Sequence, residues 1–363
     1  MRPFHIPRLR LANHSIASPS SDDPAAVVRR LGAVQAQDYL ASLWAIGLRQ
    51  RTAAEPDIEA AVAAGTIVRT WPMRGTLHYV AAEDVRWMVA LLAPRVIKGS
   101  AGRHRELGLD DAVFAKCRKV LGRALRDGPI TRPALYQALG AARIATAGSR
   151  GLHILAQLAH EGLICFGPRA GKQPTLVWLD AWIAPTKPRA AEEALGDLAG
   201  RYFATRGPAS ATDFGWWAGL PLSEVRAAIA LAGARLVSDT VGGRTYWRGA
   251  AESAVAPSST AHLLPAFDEY TVAYRDRGDV LDPAYATAVN AGGGMLRPVI
   301  VVGGRMVGTW TRALGRDAVT VTLAPFGTVR PAERRMIIAA AERYQRFLQV
   351  GQLACRWVVG GKA

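Results

Sequence analysis

The sequence has few cysteines, few acidic residues and no long apolar run, and each shortage excludes a class of protein. Its three cysteines, Cys117, Cys165 and Cys355, lie far apart without CxxC spacing, which predicts neither a disulfide framework nor a structural zinc site and fits a reducing cytoplasm. No stretch reaches the roughly 18 apolar residues of a transmembrane helix, and the N-terminus carries no apolar run of signal-peptide length. We therefore expect a cytoplasmic protein with no membrane partner, no metal and no cofactor.

The scarcity of acidic residues leaves a large positive charge. Asp and Glu number 29 against 45 Lys and Arg, a formal charge of +16, which favours a polyanionic partner: nucleic acid first, an anionic membrane second. The basic residues are nearly all arginine, and alanine and glycine are abundant, so a GC-rich coding bias is an alternative source of the charge. Half of the 363 residues are hydrophobic, which allows a sizeable core in roughly two to four domains.

Two glutamines, Gln35 and Gln37, interrupt an apolar stretch over residues 31–49. Apolar residues at helical spacing predict a helix over residues 25–36, with Asp23 as its N-cap. A buried primary amide without partners costs about 1 to 3 kcal/mol, so the pair needs a polar network or a wet cavity if it is buried. The pattern leaves two interpretations open: polar residues on the solvent face of a short helix, or a pocket that acts through neutral amides.

A succession of helices followed by a β-hairpin recurs along the chain, which is typical of winged-helix units. It is clearest at residues 101–187, where the hairpin tip carries Arg169 and Lys172, and it is repeated at residues 188–252. Residues 1–100 follow it less regularly. Repetition of this kind predicts three units that present basic tips to phosphates.

The hairpin of the first predicted unit carries basic residues between apolar ones. Arg69, Arg74 and His78 are interleaved with apolar residues, as in a basic wing, although ordinary decoration of a hairpin explains the pattern equally well.

The last third of the chain changes character. Residues 251–260 read as a linker, and residues 258–363 predict a β-rich, barrel-like domain with a closing helix over residues 331–348. A hairpin over residues 298–310 turns at Gly303-Gly304, with Arg305 at its tip.

Four motifs in this order resemble the winged-helix DNA glycosylase family that includes AlkZ, the azinomycin self-resistance enzyme, and YcaQ, a bacterial crosslink glycosylase. They are Val34-Gln35-Ala36-Gln37-Asp38, Val68-Arg69-Thr70-Trp71-Pro72-Met73-Arg74-Gly75-Thr76-Leu77-His78, Leu263-Leu264-Pro265-Ala266-Phe267-Asp268-Glu269-Tyr270 and Gly308-Thr309-Trp310.

The resemblance implies an α+β fold of three tandem winged helices and a C-terminal β-rich domain, C-shaped around a DNA channel. It implies a monofunctional DNA glycosylase that excises N7-alkylated purines and unhooks interstrand crosslinks, in alkylation repair or in antibiotic self-resistance. The expected partner is double-stranded DNA that carries an alkylated guanine or a crosslink. The protein is expected to act as a monomer associated with the nucleoid.

By the same resemblance, Gln35 and Gln37 form the catalytic Gln-x-Gln signature. An N7-alkylated guanine is cationic and leaves readily, so two amide oxygens that orient water and face the developing sugar cation could suffice. Asp38 follows directly, and a role for it stays open. Arg277 and Arg305 join the predicted DNA contacts, with the hairpin at residues 299–310 as the minor-groove probe. The alternative is a non-catalytic winged-helix DNA-binding protein, either a regulator or a lesion-binding protein.

Overall fold

The structure is a computed structural model, which describes residues 5–19, 23–251, 255–257 and 259–358. The chain forms two compact units. Residues 1–58 and 196–363 make one, here called the terminal unit, and residues 59–195 make the other, the central unit. The division predicted at residues 100, 187 and 252 stays a prediction, and the predicted linker at residues 251–260 lies partly outside the described residues.

Helices make up much of both units. They are α1 Ile6–Asn13, α2 Pro24–Leu31, α3 Tyr39–Gly47, α4 Glu55–Ala63, α5 Val85–Glu106, α6 Asp111–Ala124, α7 Arg132–Ala141, α8 Arg150–His160, α9 Leu179–Trp182, α10 Ala191–Arg206, α11 Ala211–Ala218, α12 Leu222–Ala232, α13 Glu269–Val272, α14 Ala286–Val289 and α15 Pro331–Leu348. Short 3₁₀ turns span Ala82–Asp84, Gly233–Arg235 and Pro283–Tyr285.

The strands are mostly short. They are β1 Val34–Gln35, β2 Ile67–Met73, β3 Thr76–Ala81, β4 Ile130–Thr131, β5 Ile164–Phe166, β6 Thr175–Trp178, β7 Leu236–Val241, β8 Arg244–Gly249, β9 Ala261–Leu264, β10 Asn290–Gly292, β11 Met295–Leu296, β12 Val299–Val302, β13 Arg305–Leu314, β14 Ala318–Pro325 and β15 Gln352–Trp357.

In the central unit, five strands lie side by side in the order β3-β2-β5-β6-β4, with antiparallel neighbours. The helices α6, α7 and α8 followed by the β5–β6 hairpin match the helices and hairpin predicted for residues 101–187, whereas the short strand β4 was not predicted. Thr131 caps α7. The winged-helix class itself stays a prediction. Helix and sheet enclose an apolar core that includes Leu121, Leu158 and Phe166.

The terminal unit contains a five-stranded sheet in the order β15-β14-β13-β12-β9. Every neighbouring pair is antiparallel except β14 and β15, because α15 carries the chain back to lie parallel beside β14. The α+β class is confirmed, but the barrel-like prediction is wrong: in the part of the chain that the structure describes, β9 and β15 are outer strands of an open sheet. The return through α15 extends the sheet away from β9 instead of closing it.

The helix predicted over residues 25–36 is also corrected. Asp23 caps it as expected, accepting hydrogen bonds from Ala25 N at 2.9 Å and Ala26 N at 3.2 Å. The helix ends at Leu31, because Gly32 adopts φ +77°, a backbone conformation that suits glycine and leaves the helix. The glutamine motif therefore begins on the short strand β1 and not on a helix.

No helix in residues 5–19, 23–251, 255–257 and 259–358 is both long and apolar enough to cross a membrane.

Candidate active site around the glutamine pair

The two glutamines occupy the connection between α2 and α3. Gln35 lies on β1 and is buried, with 7% of its surface exposed, whereas Gln37 is exposed. Asp38 caps α3, its Oδ1 accepting a hydrogen bond from Ala41 N at 3.0 Å. The motif thus passes from a buried strand position to a solvent-facing one within two residues, and Asp38 fixes where the following helix begins.

A buried carboxylate holds the main chain of Gln35. Glu269 Oε1 accepts a hydrogen bond from Gln35 N at 2.8 Å, and Glu269 has no exposed surface. Its Oε2 accepts from Arg206 Nη2 at 2.6 Å and Nε at 3.1 Å, and from Trp217 Nε1 at 2.9 Å. Every donor around the carboxylate is an N–H group, so an ionised, acceptor-only side chain matches the site.

Arg206 completes the attachment upstream of the motif. Its Nη1 donates to Leu31 O at 2.7 Å and its Nη2 to Ala33 O at 2.9 Å, on either side of the turn at Gly32. The guanidinium also lies 4.4 Å from the centre of the Trp217 ring. One buried ion pair therefore fixes three main-chain points between Leu31 and Gln35.

A second buried ion pair lies beside the first. Arg49 donates from Nη1 and Nη2 to the two oxygens of Asp268, each at 2.8 Å, and neither side chain is exposed. Arg49 Nη1 also donates to Ala45 O at 2.6 Å, which ties the pair to α3. Asp268 caps α13, which starts at Glu269, so the two carboxylates are held in a fixed mutual position.

His14 and Tyr274 connect the two ion pairs. Tyr274 donates to Arg206 O at 2.7 Å, so His14 Nε2, 2.9 Å from the tyrosine oxygen, is assigned as the donor there and Nδ1 as the acceptor facing Arg49 at 3.4 Å. Burial, and then the charge of Arg49, holds the pKa of His14 well below its usual range. A neutral imidazole fits this arrangement, and the network links α1, α3 and the end of α10.

The two glutamine side chains of the motif are uncharged amides. Glutamine does not titrate, and its amide oxygen can accept a hydrogen bond from water or face a cation without a proton being moved. The described residues contain no group of His, Cys, Asp and Glu able to hold a metal ion. The two amides can orient a water molecule and stabilise a nearby positive charge.

A family model described as DNA glycosylase AlkZ-like matches residues 28–347. The chain belongs to the AlkZ-like DNA glycosylase family. The resemblance inferred from the four motifs is thereby confirmed.

Comparisons with a single protein sequence and with a solved structure agree with this assignment. The chain is 27% identical over 310 residues to the interstrand DNA cross-link repair glycosylase of Streptomyces sahachiroi, covering 80% of this chain and 82% of that protein. The solved structure of the DNA glycosylase AlkZ from Streptomyces sahachiroi superposes with a TM-score of 0.81 at 24% identity, covering 98% of each chain. The structural match establishes the fold across nearly the whole chain.

The predicted DNA contacts of the central unit differ in exposure. Arg69 and His78 are buried at positions of the β2–β3 hairpin, and Arg74 is half-buried at its turn, with Nη2 3.4 Å from His78 Nε2. Arg169 is half-buried, and its Nη2 donates to Lys172 O at 3.0 Å, while the Lys172 side chain is exposed. These residues stay predicted DNA contacts.

The two predicted contacts of the terminal unit also differ. Arg277 is half-buried and donates from Nε to Thr271 O at 2.6 Å; burial lowers its pKa. Arg305 is exposed at the start of β13.

The tip of the hairpin at residues 299–310 is packed against the protein. Gly304 O accepts a hydrogen bond from Tyr270 Oη at 2.7 Å, and a Cβ on Gly304 would lie 2.6 Å from the carbonyl carbon of Pro7. The neighbouring β10–β11 hairpin is different: three exposed glycines, residues 292–294, would have no atom within 4 Å of an added Cβ, and Met295 is 54% exposed. This smaller hairpin was not predicted from the sequence.

The residues that hold the main chain of the glutamine motif were not predicted from the sequence either. Glu269 belongs to a motif that carries the family resemblance, but the sequence pattern assigns no role to Glu269 and does not single out Arg206. The available signal was the Asp268-Glu269 pair inside an apolar segment, since buried carboxylates need cationic partners.

Proposed function

We propose that this protein is a monofunctional DNA glycosylase that hydrolyses the N-glycosidic bond of N7-alkylated purines, including those in interstrand crosslinks. Membership of the glycosylase family and the cross-link repair activity named for its Streptomyces sahachiroi relative support the reaction class. The structural observation that supports it most is the glutamine pair, with Gln35 N bound to a fully buried carboxylate and Gln37 facing solvent two residues later.

In this proposal Gln35 and Gln37 act through their amide oxygens. Alkylation at N7 gives the purine a positive charge, so the base leaves without a strong general acid. As the bond to the sugar lengthens, positive charge develops on the sugar, and two fixed carbonyl dipoles stabilise it and orient the attacking water. Water adds to the sugar carbon, its proton passes to solvent, and the products are the free base and an abasic site. Asp38 positions α3 as its cap.

The exposed basic residues are the ones proposed to meet DNA phosphates. Lys172 and Arg305 have exposed side chains, whereas Arg69 and His78 are buried and help to form the β2–β3 hairpin. A formal charge of +16 predicts a strong decrease of DNA affinity with salt.

We favour the β10–β11 hairpin as the minor-groove probe instead of the hairpin at residues 299–310. The tip of the hairpin at residues 299–310 is packed against Tyr270 and Pro7. The winged-helix arrangement, the C-shaped channel, a monomeric state and association with the nucleoid belong to the same proposal.

The test is incubation with duplex DNA that carries a single N7-methylguanine, followed by alkali. We expect strand breaks at the lesion only after alkali treatment, and free N7-methylguanine in the supernatant. Breaks without alkali would contradict a monofunctional enzyme. A mobility shift without release of the base would favour the alternative, a non-catalytic DNA-binding protein.

A further inference from the structure

We infer that Glu269 is a positioning residue for the glutamine pair: it acts through the main chain of Gln35 and sets the rate of base excision without touching DNA. The inference rests on the proposed function. It is carried by the hydrogen bonds of one carboxylate and by what those bonds hold.

The site around Glu269 accepts only an ionised carboxylate. Four N–H groups point at its two oxygens: one from Gln35 at Oε1, and at Oε2 two from Arg206 and one from Trp217. A glutamine here would turn its own NH₂ group toward Gln35 N or toward the donors at Oε2, whichever way the amide faces. In either orientation at least one donor loses its acceptor and meets another donor.

The bonds of Glu269 and Arg206 converge on one short piece of main chain. Arg206 holds Leu31 O at 2.7 Å and Ala33 O at 2.9 Å, and Glu269 holds Gln35 N at 2.8 Å. Downstream of the motif, the Asp38 cap fixes the start of α3. The three residues of the Gln-x-Gln motif therefore lie between two anchored points, and any movement of Glu269 displaces the first glutamine.

Glu269 is separated from a substrate by its own burial. It has no exposed surface, and its two oxygens are occupied by the groups named above. A residue in this position cannot orient water or face the sugar. It acts on the reaction through the placement of Gln35, and its loss should lower the rate of the chemical step while DNA binding is kept.

The experiment compares Glu269→Gln with Asp213→Asn in the full-length protein. Asp213 is a matched control: it is a fully buried carboxylate in the same unit, paired with Arg244 at 3.3 Å and hydrogen-bonded to Ser210 and Arg275 N. Two quantities are measured for each variant. The first is amide hydrogen exchange in the peptide covering residues 31–38, and the second is single-turnover excision of N7-methylguanine across a range of protein concentrations.

For Glu269→Gln we expect exchange in residues 31–38 to rise about tenfold or more. The excision rate at saturating protein should fall about 100-fold, as for a displacement of about 1 Å, while the half-saturating concentration changes less than about threefold. Asp213→Asn should leave exchange in residues 31–38 and the excision rate near wild type. If Glu269→Gln does not fold, Trp217→Phe, which removes one of the three donors at Oε2, should give a smaller rise in exchange and a smaller loss of rate.

The inference is overturned if Glu269→Gln folds and keeps wild-type exchange in residues 31–38, or if Asp213→Asn produces the same changes. Wild-type protein that excises nothing would contradict the proposed function and leave the exchange comparison to decide whether Glu269 positions the motif.

Discussion

The two compact units differ in the side chains that they bury. The terminal unit encloses two ion pairs without solvent contact, Arg49 with Asp268 and Arg206 with Glu269. The central unit encloses a continuous cluster of leucine, isoleucine and aromatic side chains. Apolar burial stabilises a fold with little directional preference, whereas a buried ion pair adds little net stability and is costly to break. Of the two pairs, Arg206–Glu269 bonds directly to the main chain at Leu31, Ala33 and Gln35, so it holds the geometry of the chain that leads into the glutamine motif.

The largest effect is expected from breaking an ion pair of the terminal unit. Arg49→Ala leaves Asp268 buried and unpaired, which should lower the free energy of unfolding by about 3 to 5 kcal/mol. Denaturant unfolding followed by tryptophan fluorescence measures it. Arg226→Ala removes an exposed arginine on α12 and should change the value by less than about 0.5 kcal/mol. A loss below about 1 kcal/mol for Arg49→Ala would mean that the pair is not desolvated.

A somewhat smaller effect is expected from a cavity in the central unit. Leu158 is fully buried on α8, and Leu158→Ala should cost about 2 to 5 kcal/mol. Leu152→Ala, on the same helix but 48% exposed, should cost much less. Leu158→Ala should also leave the saturated excision rate of the folded protein unchanged. If Leu158→Ala lowered the excision rate as much as a glutamine variant does, the apolar core of the central unit would matter for the reaction as much as the glutamine motif.

The smallest effect is a pH dependence shared by both units. Burial lowers the pKa of His262 in the terminal unit to about 4, with Arg343 contributing, and burial also lowers the pKa of His160 in the central unit to about 4. The unfolded chain takes up a proton near pH 6.5 while the folded protein does not, so stability is full above pH 6.5 and falls as the pH drops toward 4.

Replacing one histidine isolates its share. His262→Gln should flatten the fall in unfolding free energy between pH 6.5 and 4 relative to wild type, and His160→Gln should do the same. An unchanged slope in both variants would show that neither imidazole is held neutral by the fold.

Features set by neighbouring residues could be predicted from the sequence. Asp23 caps the helix assigned to it, and the helix over residues 331–348 has the predicted ends. The hairpin at Gly303-Gly304 also forms where two glycines allow a tight turn. In each case the signal and the structure lie within a few residues.

Features set by distant residues could not be predicted. Glu269 is 234 residues from Gln35 and 63 from Arg206, and no local pattern states which arginine neutralises which carboxylate. The helix predicted over residues 25–36 follows the apolar spacing and takes no account of Gly32, which is the local signal that the helix ends. The strand β15 was not predicted because it pairs with β14, from which the whole of α15 separates it along the chain.

The central claim is that two neutral amides carry the chemistry, and single-turnover excision by Gln35→Ala and Gln37→Ala tests it most directly. We expect each substitution to lower the saturated rate of N7-methylguanine release by about 100- to 1,000-fold, and the double variant to abolish release, with DNA affinity within about threefold of wild type. Gln352→Ala, which removes an exposed glutamine from β15, should behave as wild type. Release by the double variant at the wild-type rate would contradict the account.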